Sequence, residues 1–168
     1  MSVNKINLRR VGIFSPHLEQ SLYDFLKDWF IPHSIEISTL EEGVKSRVDL
    51  DLVISFGGDG TVLAALSLFP QCPVLAVNFG NVGFLTAGDR EELIDMLQRV
   101  LEGNYIISER SVLECEHPHG TDYAVNEIVI RGATKLIAVE LSINDQHIRR
   151  VRGDGVIVGT ATGSTAYL

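Results

Sequence analysis

Glycines and a carboxylate stand side by side in the segment Gly57-Gly58-Asp59-Gly60-Thr61. Because glycine has no β-carbon, its backbone can approach a phosphate chain closely and offer amide hydrogens to it. A helix that begins here would add partial positive charge at its amino terminus. The segment therefore predicts a phosphate-binding loop, which an acidic protein can build from backbone groups alone.

Asp59 is the acidic residue of this loop. A carboxylate beside phosphates is electrostatically costly unless it meets a metal ion or takes up a proton. The functional interpretation makes Asp59 a general base for a hydroxyl group, or a contact for magnesium. The alternative is structural: Asp59 closes a turn and caps the helix that follows.

A second glycine-containing loop, residues 78–85, has the sequence Asn-Phe-Gly-Asn-Val-Gly-Phe-Leu and follows another apolar run. In a parallel sheet both loops would lie at the carboxyl ends of strands, where open α/β folds bind their ligands. Gly80 and Gly83 can loosen the turn for a ligand, and Phe84 could supply a wall for a flat heterocycle. Packing of Phe84 in the core is the alternative.

Two polar residues, Asn126 and Glu127, interrupt a run of apolar residues that predicts a strand at 123–131. Neighbouring strand residues point to opposite faces of the sheet. An amide and a carboxylate can together donate to and accept from the vicinal hydroxyls of a ribose. An edge strand with one face in water would also explain the pair.

The last segment, residues 153–168, begins with Gly153-Asp154-Gly155, continues as a strand, and ends in a loop rich in hydroxyl groups. Hydroxyl and amide donors in the Thr160-Ala161-Thr162-Gly163-Ser164-Thr165 run suit a nucleotide. Tyr167 adds a ring that could lie against the base. A simple Ser/Thr turn seldom has this length or order.

The elements around these residues form two patterns. Through residue 103, short β-type runs at 11–14, 34–37, 50–56 and 74–77 alternate with helical periodicity, which predicts an amino-terminal α/β domain with a parallel sheet. The helices are expected to end before Pro32, to span 61–68, and to span 90–101 with Gly103 as cap. The apolar residues expected on their inner faces are Leu18, Leu22, Phe25, Leu26, Trp29, Leu93, Ile94, Leu97 and Leu101.

After Gly103 the helical period disappears, and runs at 123–131, 136–144 and 147–151 favour β-strands. Asn144-Asp145 between two of the runs predicts a hairpin turn. We therefore predict two domains: an α/β domain over residues 1–103, and the beginning of an antiparallel β-rich domain over residues 104–168.

Composition restricts the class of protein. The 168 residues are 45% hydrophobic and 21% charged, which favours a folded globular chain over a disordered one. A net charge of −8 argues against nucleic acid or an anionic membrane as a partner. The two cysteines, Cys72 and Cys115, are far apart, so neither a zinc site nor a disulfide framework is expected. We expect a cytoplasmic protein, because the amino terminus carries no signal peptide or spanning run.

Two further clusters receive a structural interpretation. His117-Pro118-His119-Gly120 predicts a turn, and we assign no metal to it. Arg149, Arg150 and Arg152 favour a solvated hairpin face over a phosphate contact.

Taken together, the four motifs are similar to those of the NAD kinases, in order and in approximate spacing. The Gly-Gly-Asp-Gly piece alone is shared with diacylglycerol, sphingosine and phosphofructo-kinases. The Asn126-Glu127 pair and the Thr-Gly-Ser-Thr-Ala-Tyr run are much more particular to NAD kinases. The resemblance extends from about Val11 to the last residue.

This resemblance implies an enzyme that transfers a phosphoryl group from ATP or polyphosphate to the 2′-hydroxyl of NAD, giving NADP. It implies that Asp59 approaches that hydroxyl, with Gly60 and Phe84 nearby and a divalent ion, Mg²⁺, accompanying ATP. The residues that it assigns to the phosphates and to NAD are Gly57, Gly58, Gly60, Thr61, Phe84, Asn126, Glu127, Asp154, Thr162, Thr165, Ala166 and Tyr167. Asp154 matches an acid that serves a neighbouring subunit, which implies a homo-oligomer, dimer or tetramer.

Two departures from the family pattern affect the expectations. Ala161 stands where the family usually has proline. The sequence also stops at Leu168, inside the last motif, so we expect a truncated chain with little kinase activity. The rival functions are a kinase of another small alcohol or lipid, and a catalytically silent NAD-binding or assembly fragment.

Overall fold

The computed structural model describes residues 6–40, 49–80 and 83–166. Contacts between residues divide the chain into two compact units, which separate between Ser108 and Glu109. Each unit has its own kind of sheet.

The first unit contains a parallel sheet of five strands. The strands are β1 (Arg10–Phe14), β2 (Glu36–Leu40), β3 (Leu52–Phe56), β4 (Val74–Asn78) and β5 (Gly88–Asp89). Their order across the sheet is β2-β1-β3-β4-β5. β2 lies on one side of β1, and β3, β4 and β5 lie on the other side, so the strand order reverses between β1 and β3. All five residues of β3 are buried, as the apolar run predicts for a central strand covered on both faces.

Three helices cover the two faces of the sheet: α1 (Gln20–Phe30) between β1 and β2, α2 (Asp59–Leu68) between β3 and β4, and α3 (Leu93–Glu102) after β5. Residues of α1 and α3 pack against one face, and residues of α2 pack against the other. Pro32 lies in a 3-10 turn, Ile31–His33, directly after α1. Gly103 ends α3 with a φ of 79° and donates its N–H to the carbonyl oxygens of Arg99 and Val100, so the predicted cap is confirmed.

Two details of the helix faces differ from the prediction. Phe25 is 46% exposed, because the buried stripe of α1 follows the four-residue spacing Leu22, Leu26, Phe30. On α3 the buried side chains are Leu93, Met96, Leu97 and Val100, whereas Ile94 and Leu101 are half-buried. Both helices therefore present a narrower face to the sheet than the apolar residues suggest.

The second unit consists of antiparallel strand pairs. Its strands are β6 (Leu113–His117), β7 (Gly120–Ala124), β8 (Glu127–Arg131), β9 (Ile137–Ile143), β10 (Gln146–Gly153) and β11 (Gly155–Gly159). β6 pairs with β7, β8 with β11, and β9 with β10. Asn144 and Asp145 have φ values of 50° and 63° at the β9–β10 turn, which confirms the predicted hairpin. The predicted fold class is confirmed.

The predicted strand over residues 123–131 is wrong in one respect. β7 ends at Ala124 and β8 begins at Glu127, so Val125 and Asn126 form a break between two strands. The two strands have different partners, β6 for β7 and β11 for β8, and the chain has to turn between them. Asn126 consequently lies outside the ladder rather than on a pleat face.

Both cysteines are free thiols. Burial, reinforced by the nearby Asp51 carboxylate, raises the pKa of the Cys72 thiol from 9.0 to about 11, so this thiol stays protonated near neutral pH. Across the described residues, no helix has the length and apolar character that a membrane span requires.

Candidate active site

The glycine loop lies at the carboxyl end of β3, beside the point where the strand order reverses. Gly57 continues the sheet by one hydrogen bond, from its N–H to the carbonyl oxygen of Val77 (3.1 Å). Its φ of 155° is rarely adopted by other residues, and a β-carbon here would collide with the hydroxyl of Thr61. Among the described residues, no atom lies within 4 Å of a β-carbon placed at Gly58 or Gly60. Gly57 is therefore required by the turn, while Gly58 and Gly60 leave the loop surface open.

Asp59 is the first residue of α2, and its carboxylate bridges to the loop after β4. Its Oδ2 accepts a hydrogen bond from the backbone N–H of Phe84 (3.0 Å), and its Oδ1 accepts one from the N–H of Leu85 (3.0 Å). The helix cap is Gly58, with no side-chain cap bond. The alternative in which Asp59 caps its own helix therefore does not describe this geometry.

Gly83 makes this bridge possible. A β-carbon at Gly83 would collide with Oδ1 of Asp59 and lie 2.8 Å from its Cγ. The sequence predicts that Gly83 loosens the turn. The structure shows a different reason for the glycine, which is close approach of the loop to the carboxylate.

Phe84 carries its ring into solvent and is 81% exposed. The alternative in which Phe84 packs in the core is therefore wrong. At the start of the same loop the Asn78 side chain forms two hydrogen bonds with Gly80, donating to its carbonyl oxygen (2.9 Å) and accepting from its N–H (3.2 Å). This turn and the Asp59 bridge together present Phe84 next to the carboxylate.

Arg90 is a charged residue near this edge of the sheet that no sequence motif indicates. It follows β5 by one residue, its guanidinium lies 5.1 Å from the centre of the Phe79 ring, and Nη2 lies 3.3 Å from Oε2 of Glu19. The partners are 11 and 71 positions away along the chain, so local patterning carries no signal for this arrangement.

In the second unit, Glu127 opens β8 and pairs with Gly159 of β11. Its Oε2 is buried, and none of the described residues gives it a hydrogen bond. Leaving a buried acceptor unsatisfied costs roughly 1–3 kcal/mol. A donor such as a ligand hydroxyl would remove that cost.

The hydroxyl-rich loop folds onto the break that contains Asn126. Thr162–Thr165 forms a 3-10 turn, and a β-carbon at the buried Gly163 would collide with the backbone of Asn126. Thr162 is half-buried and Ala166 is exposed. Tyr167 and the side chain of Thr165 lie outside the described part of the structure.

Asp154 occupies the bend between β10 and β11, where its side chain is exposed and its carbonyl oxygen accepts the N–H of Gly132 (3.0 Å). The fold thus assembles the predicted residues as two sets, one within each unit. Asp59 and Phe84 meet in the first unit. In the second unit, the turn that begins at Thr162 rests through Gly163 on the backbone of Asn126, the residue before Glu127.

The residues that the structure describes contain no group of three or more His, Cys, Asp or Glu side chains arranged to hold a metal ion. His117 pairs with Asp122, Nε2 to Oδ2 at 3.1 Å. At the glycine loop the Asp59 carboxylate could contact Mg²⁺, an ion that keeps several waters and binds substrate phosphates.

Comparison with known proteins links both units to one family. The model of the ATP-NAD kinase N-terminal domain matches residues 17–105, and that of the ATP-NAD kinase C-terminal domain matches residues 125–168. The NAD kinase of Methanothermobacter thermautotrophicus is 39% identical over 125 residues, which cover 72% of this chain and 44% of the relative. The NAD kinase of Thermomicrobium roseum is 33% identical over 167 residues, which cover 95% of this chain and 58% of the relative.

Solved structures give the same result. An NAD kinase from Archaeoglobus fulgidus in complex with ATP matches with a TM-score of 0.74 at 27% identity, over 94% of this chain and 63% of that one. Yeast NADH kinase complexed with NADH shares the fold, with a TM-score of 0.75 at 24% identity over 95% of this chain and 60% of that one. The chain spans about half the length of the curated relatives it matches. Its match to both domain models shows that the chain belongs to the NAD kinase family.

Proposed function

We propose that this protein transfers a phosphoryl group from ATP to the 2′-hydroxyl of the adenosine ribose of NAD, giving NADP. The observation that carries the proposal is the Asp59 carboxylate, held by two backbone amides beside a glycine loop at the carboxyl end of the central strand. Membership of the NAD kinase family supports NAD as the acceptor rather than a lipid or a sugar.

In this mechanism Asp59 orients or deprotonates the ribose hydroxyl. Each carboxylate oxygen accepts one amide hydrogen bond, so lone pairs remain for the hydroxyl of the substrate. The amides of Gly58 and Gly60, together with the amino terminus of α2, hold the donor phosphates in line. The exposed ring of Phe84 then lines the ribose or the nicotinamide side of the same site.

The second unit supplies the contacts that recognise NAD. Asn126 and Glu127 bind ribose hydroxyls, and a hydroxyl that donates to the buried Oε2 of Glu127 satisfies that atom. Thr162, Thr165, Ala166 and Tyr167 form the pocket for the adenosine. Family resemblance supports these assignments, and so does the contact between the Gly163 turn and the backbone of Asn126.

A divalent ion such as Mg²⁺, brought in with ATP, would supply charge neutralisation at the transferring phosphoryl group. Among the described residues, Asp59 of the glycine loop would hold it, together with substrate phosphates and water.

The active protein is a homo-oligomer in the cytoplasm. Asp154 extends from an exposed bend, where it can reach NAD bound mainly by a neighbouring subunit. The two free thiols suit a reducing compartment.

The test is an assay of NADP formation by the purified protein with Mg²⁺, with ATP and polyphosphate as donors and with NAD, diacylglycerol and a sugar as acceptors. We expect NAD to be phosphorylated, at the low rate expected of the 168-residue chain, and neither the lipid nor the sugar to be phosphorylated. Phosphorylation of another alcohol in place of NAD would reject the proposal. NAD binding without transfer from any donor would instead identify a silent NAD-binding protein.

A further inference from the structure

Thr160 ties together two segments of the second unit. It directly follows β11, and its backbone N–H donates to the carbonyl oxygen of Asn126 (2.8 Å). Its hydroxyl Oγ1 donates to the carbonyl oxygen of Val125. The same oxygen accepts the N–H of Thr162 (3.1 Å) and the N–H of Gly163 (3.3 Å). One side chain therefore joins the break at 125–126 to the turn at Thr162–Thr165.

These bonds use the full capacity of the hydroxyl. A threonine hydroxyl has one hydrogen to donate and two lone pairs to accept with. The hydrogen goes to Val125, and the two lone pairs face the amides of Thr162 and Gly163. Thr160 thus acts on its neighbours rather than on a ligand, and Thr160 is not among the residues that family resemblance assigns to NAD.

The position of Gly163 strengthens the connection. A β-carbon at Gly163 would lie 2.8 Å from the carbonyl carbon of Asn126 and 3.0 Å from its Cα. The turn therefore rests directly on the backbone of Asn126, one residue before the ladder pair of Glu127 with Gly159. A shift of the turn toward this backbone would therefore displace Asn126.

We propose that Thr160 is a positioning residue for NAD: its hydroxyl holds the Asn126-Glu127 pair and the Thr162-Gly163 turn in the single arrangement that binds the dinucleotide. This inference rests on the proposed function, because it takes NAD as the ligand of Asn126 and Glu127. Ala161 adds weight to the role, since this loop lacks the proline that would restrict it and depends more on the hydroxyl for its order.

The experiment compares Thr160→Val, which keeps the shape of the side chain and removes the hydroxyl, with Thr160→Ser, which keeps the hydroxyl. Thr134→Val, an exposed change in the same unit, is the matched control. Binding of NAD is measured by titration calorimetry. We expect Thr160→Val to weaken NAD binding about tenfold or more. Thr160→Ser and Thr134→Val should stay within about threefold of the unmodified protein, a range that corresponds to less than one hydrogen bond.

A double variant tests whether Thr160 acts through Asn126. If it does, Thr160→Val should weaken binding little further once Asn126→Ala is present, because the effects of coupled residues do not add. Full additivity would contradict the inference, and so would a loss in Thr160→Ser as large as that in Thr160→Val. Hydrogen exchange of the Thr162 and Gly163 amides gives a check that does not require the valine variant to fold. If these amides exchange without protection in the unmodified protein or in Thr160→Ser, the inference is contradicted.

The same data separate this inference from the proposed function. If Asn126→Ala weakens NAD binding and Thr160→Val does not, the positioning role alone is wrong. If the unmodified protein does not bind NAD, or if Asn126→Ala binds it normally, the proposed site is wrong and the inference falls with it.

Discussion

At the scale of single residues, Asp59 has two tasks that are hard to separate. Its carboxylate belongs to the glycine loop that we propose binds phosphate, and it also fixes the backbone of Phe84 and Leu85 through one hydrogen bond to each. Gly83 leaves room for that carboxylate, so the three residues act as one local structure. A change at Asp59 therefore affects both the chemistry and the shape of the loop.

We expect Asp59→Asn to lower turnover by about two to four orders of magnitude, because the amide group cannot act as a base. The variant keeps the size of the side chain but only one acceptor oxygen, so one of the two amide bonds is lost. Loss of one hydrogen bond should weaken NAD binding by no more than about tenfold. Steady-state kinetics and calorimetry on the folded variant measure the two effects.

Asp95→Asn, an exposed change on α3, is the control for this substitution and should keep normal turnover. Amide exchange at Phe84 and Leu85 shows how far the loop is loosened. Normal turnover in folded Asp59→Asn would remove Asp59 from the chemistry. A loss of NAD affinity as large as the loss of turnover would reduce Asp59 to a structural role.

At the scale of elements, the turn at Thr162–Thr165 is built so that proline fits immediately before it. Ala161 has φ −61° and ψ −30°, and proline fixes φ near this value. Ala161 takes part in the turn through its carbonyl oxygen, which accepts the hydroxyl of Ser164 (2.9 Å). The backbone therefore already adopts the conformation that proline would impose.

We expect Ala161→Pro to raise the free energy of unfolding by about 0.4–1 kcal/mol, chiefly because the unfolded chain loses freedom. Ala161→Gly should lower it by roughly 0.5–1 kcal/mol for the opposite reason. Denaturant unfolding of the unmodified protein, Ala161→Pro and Ala161→Gly measures their free energies of unfolding. If Ala161→Pro is less stable than the unmodified protein, the limit that proline places on the backbone angles of Thr160, the residue before it, distorts the loop.

The elements that the sequence predicts well are those whose burial produces a regular pattern. β3 is apolar throughout because both its faces are covered, and the two positive-φ residues of the β9–β10 turn are of the type that such turns require. The break at Val125 and Asn126 escaped prediction because the β-type pattern continues through it. It arises from a change of partner strand, which local sequence does not encode.

The site was predictable as a set of residue types, and not as a set of contacts. Glycines and Asp59 at a strand end predict a phosphate loop, but the bonds from Asp59 to Phe84 and Leu85 join residues 25 and 26 positions apart. Thr160 and Val125 are 35 positions apart. Those bonds depend on which strands are neighbours in the fold, so the positioning roles of Gly83 and Thr160 emerge only from the structure.

At the scale of the whole molecule, the role proposed for Asp154 would link the NAD site to the assembly of subunits. If Asp154 serves the NAD site of a neighbouring subunit, Asp154→Ala and Asn126→Ala proteins should each be weak alone and regain part of the activity after mixing and reassembly. Hybrid oligomers then contain sites with both intact residues. NADP formation before and after mixing measures the effect.

The control for this prediction mixes Asn126→Ala with Asp59→Asn. Both residues are expected to serve the same subunit's site, so no hybrid site is complete and activity should stay low. If hybrids of Asp154→Ala and Asn126→Ala form but regain no more activity than this control, Asp154 does not act across subunits.

The two units differ in how well they cover their apolar side chains, and this difference predicts association. Among the described residues, the buried apolar side chains lie in the first unit, with the exception of Val125. In the second unit, Val129 of β8 and Ile157 of β11 are opposite each other on one face of their strand pair, 48% and 41% exposed. Exposed apolar faces and unpaired strand edges favour contact with other chains.

We therefore expect the 168-residue chain, purified by itself, to form species larger than its 18.5 kDa mass, as measured by light scattering after size-exclusion chromatography. Replacing Val129 and Ile157 together with threonine should shift the distribution toward the monomer, because the hydroxyl groups reduce the gain from burying this face. Ile31→Thr removes a single exposed apolar side chain from the first unit and should leave the distribution unchanged. A monodisperse monomer from the unmodified chain would show that this face does not drive association.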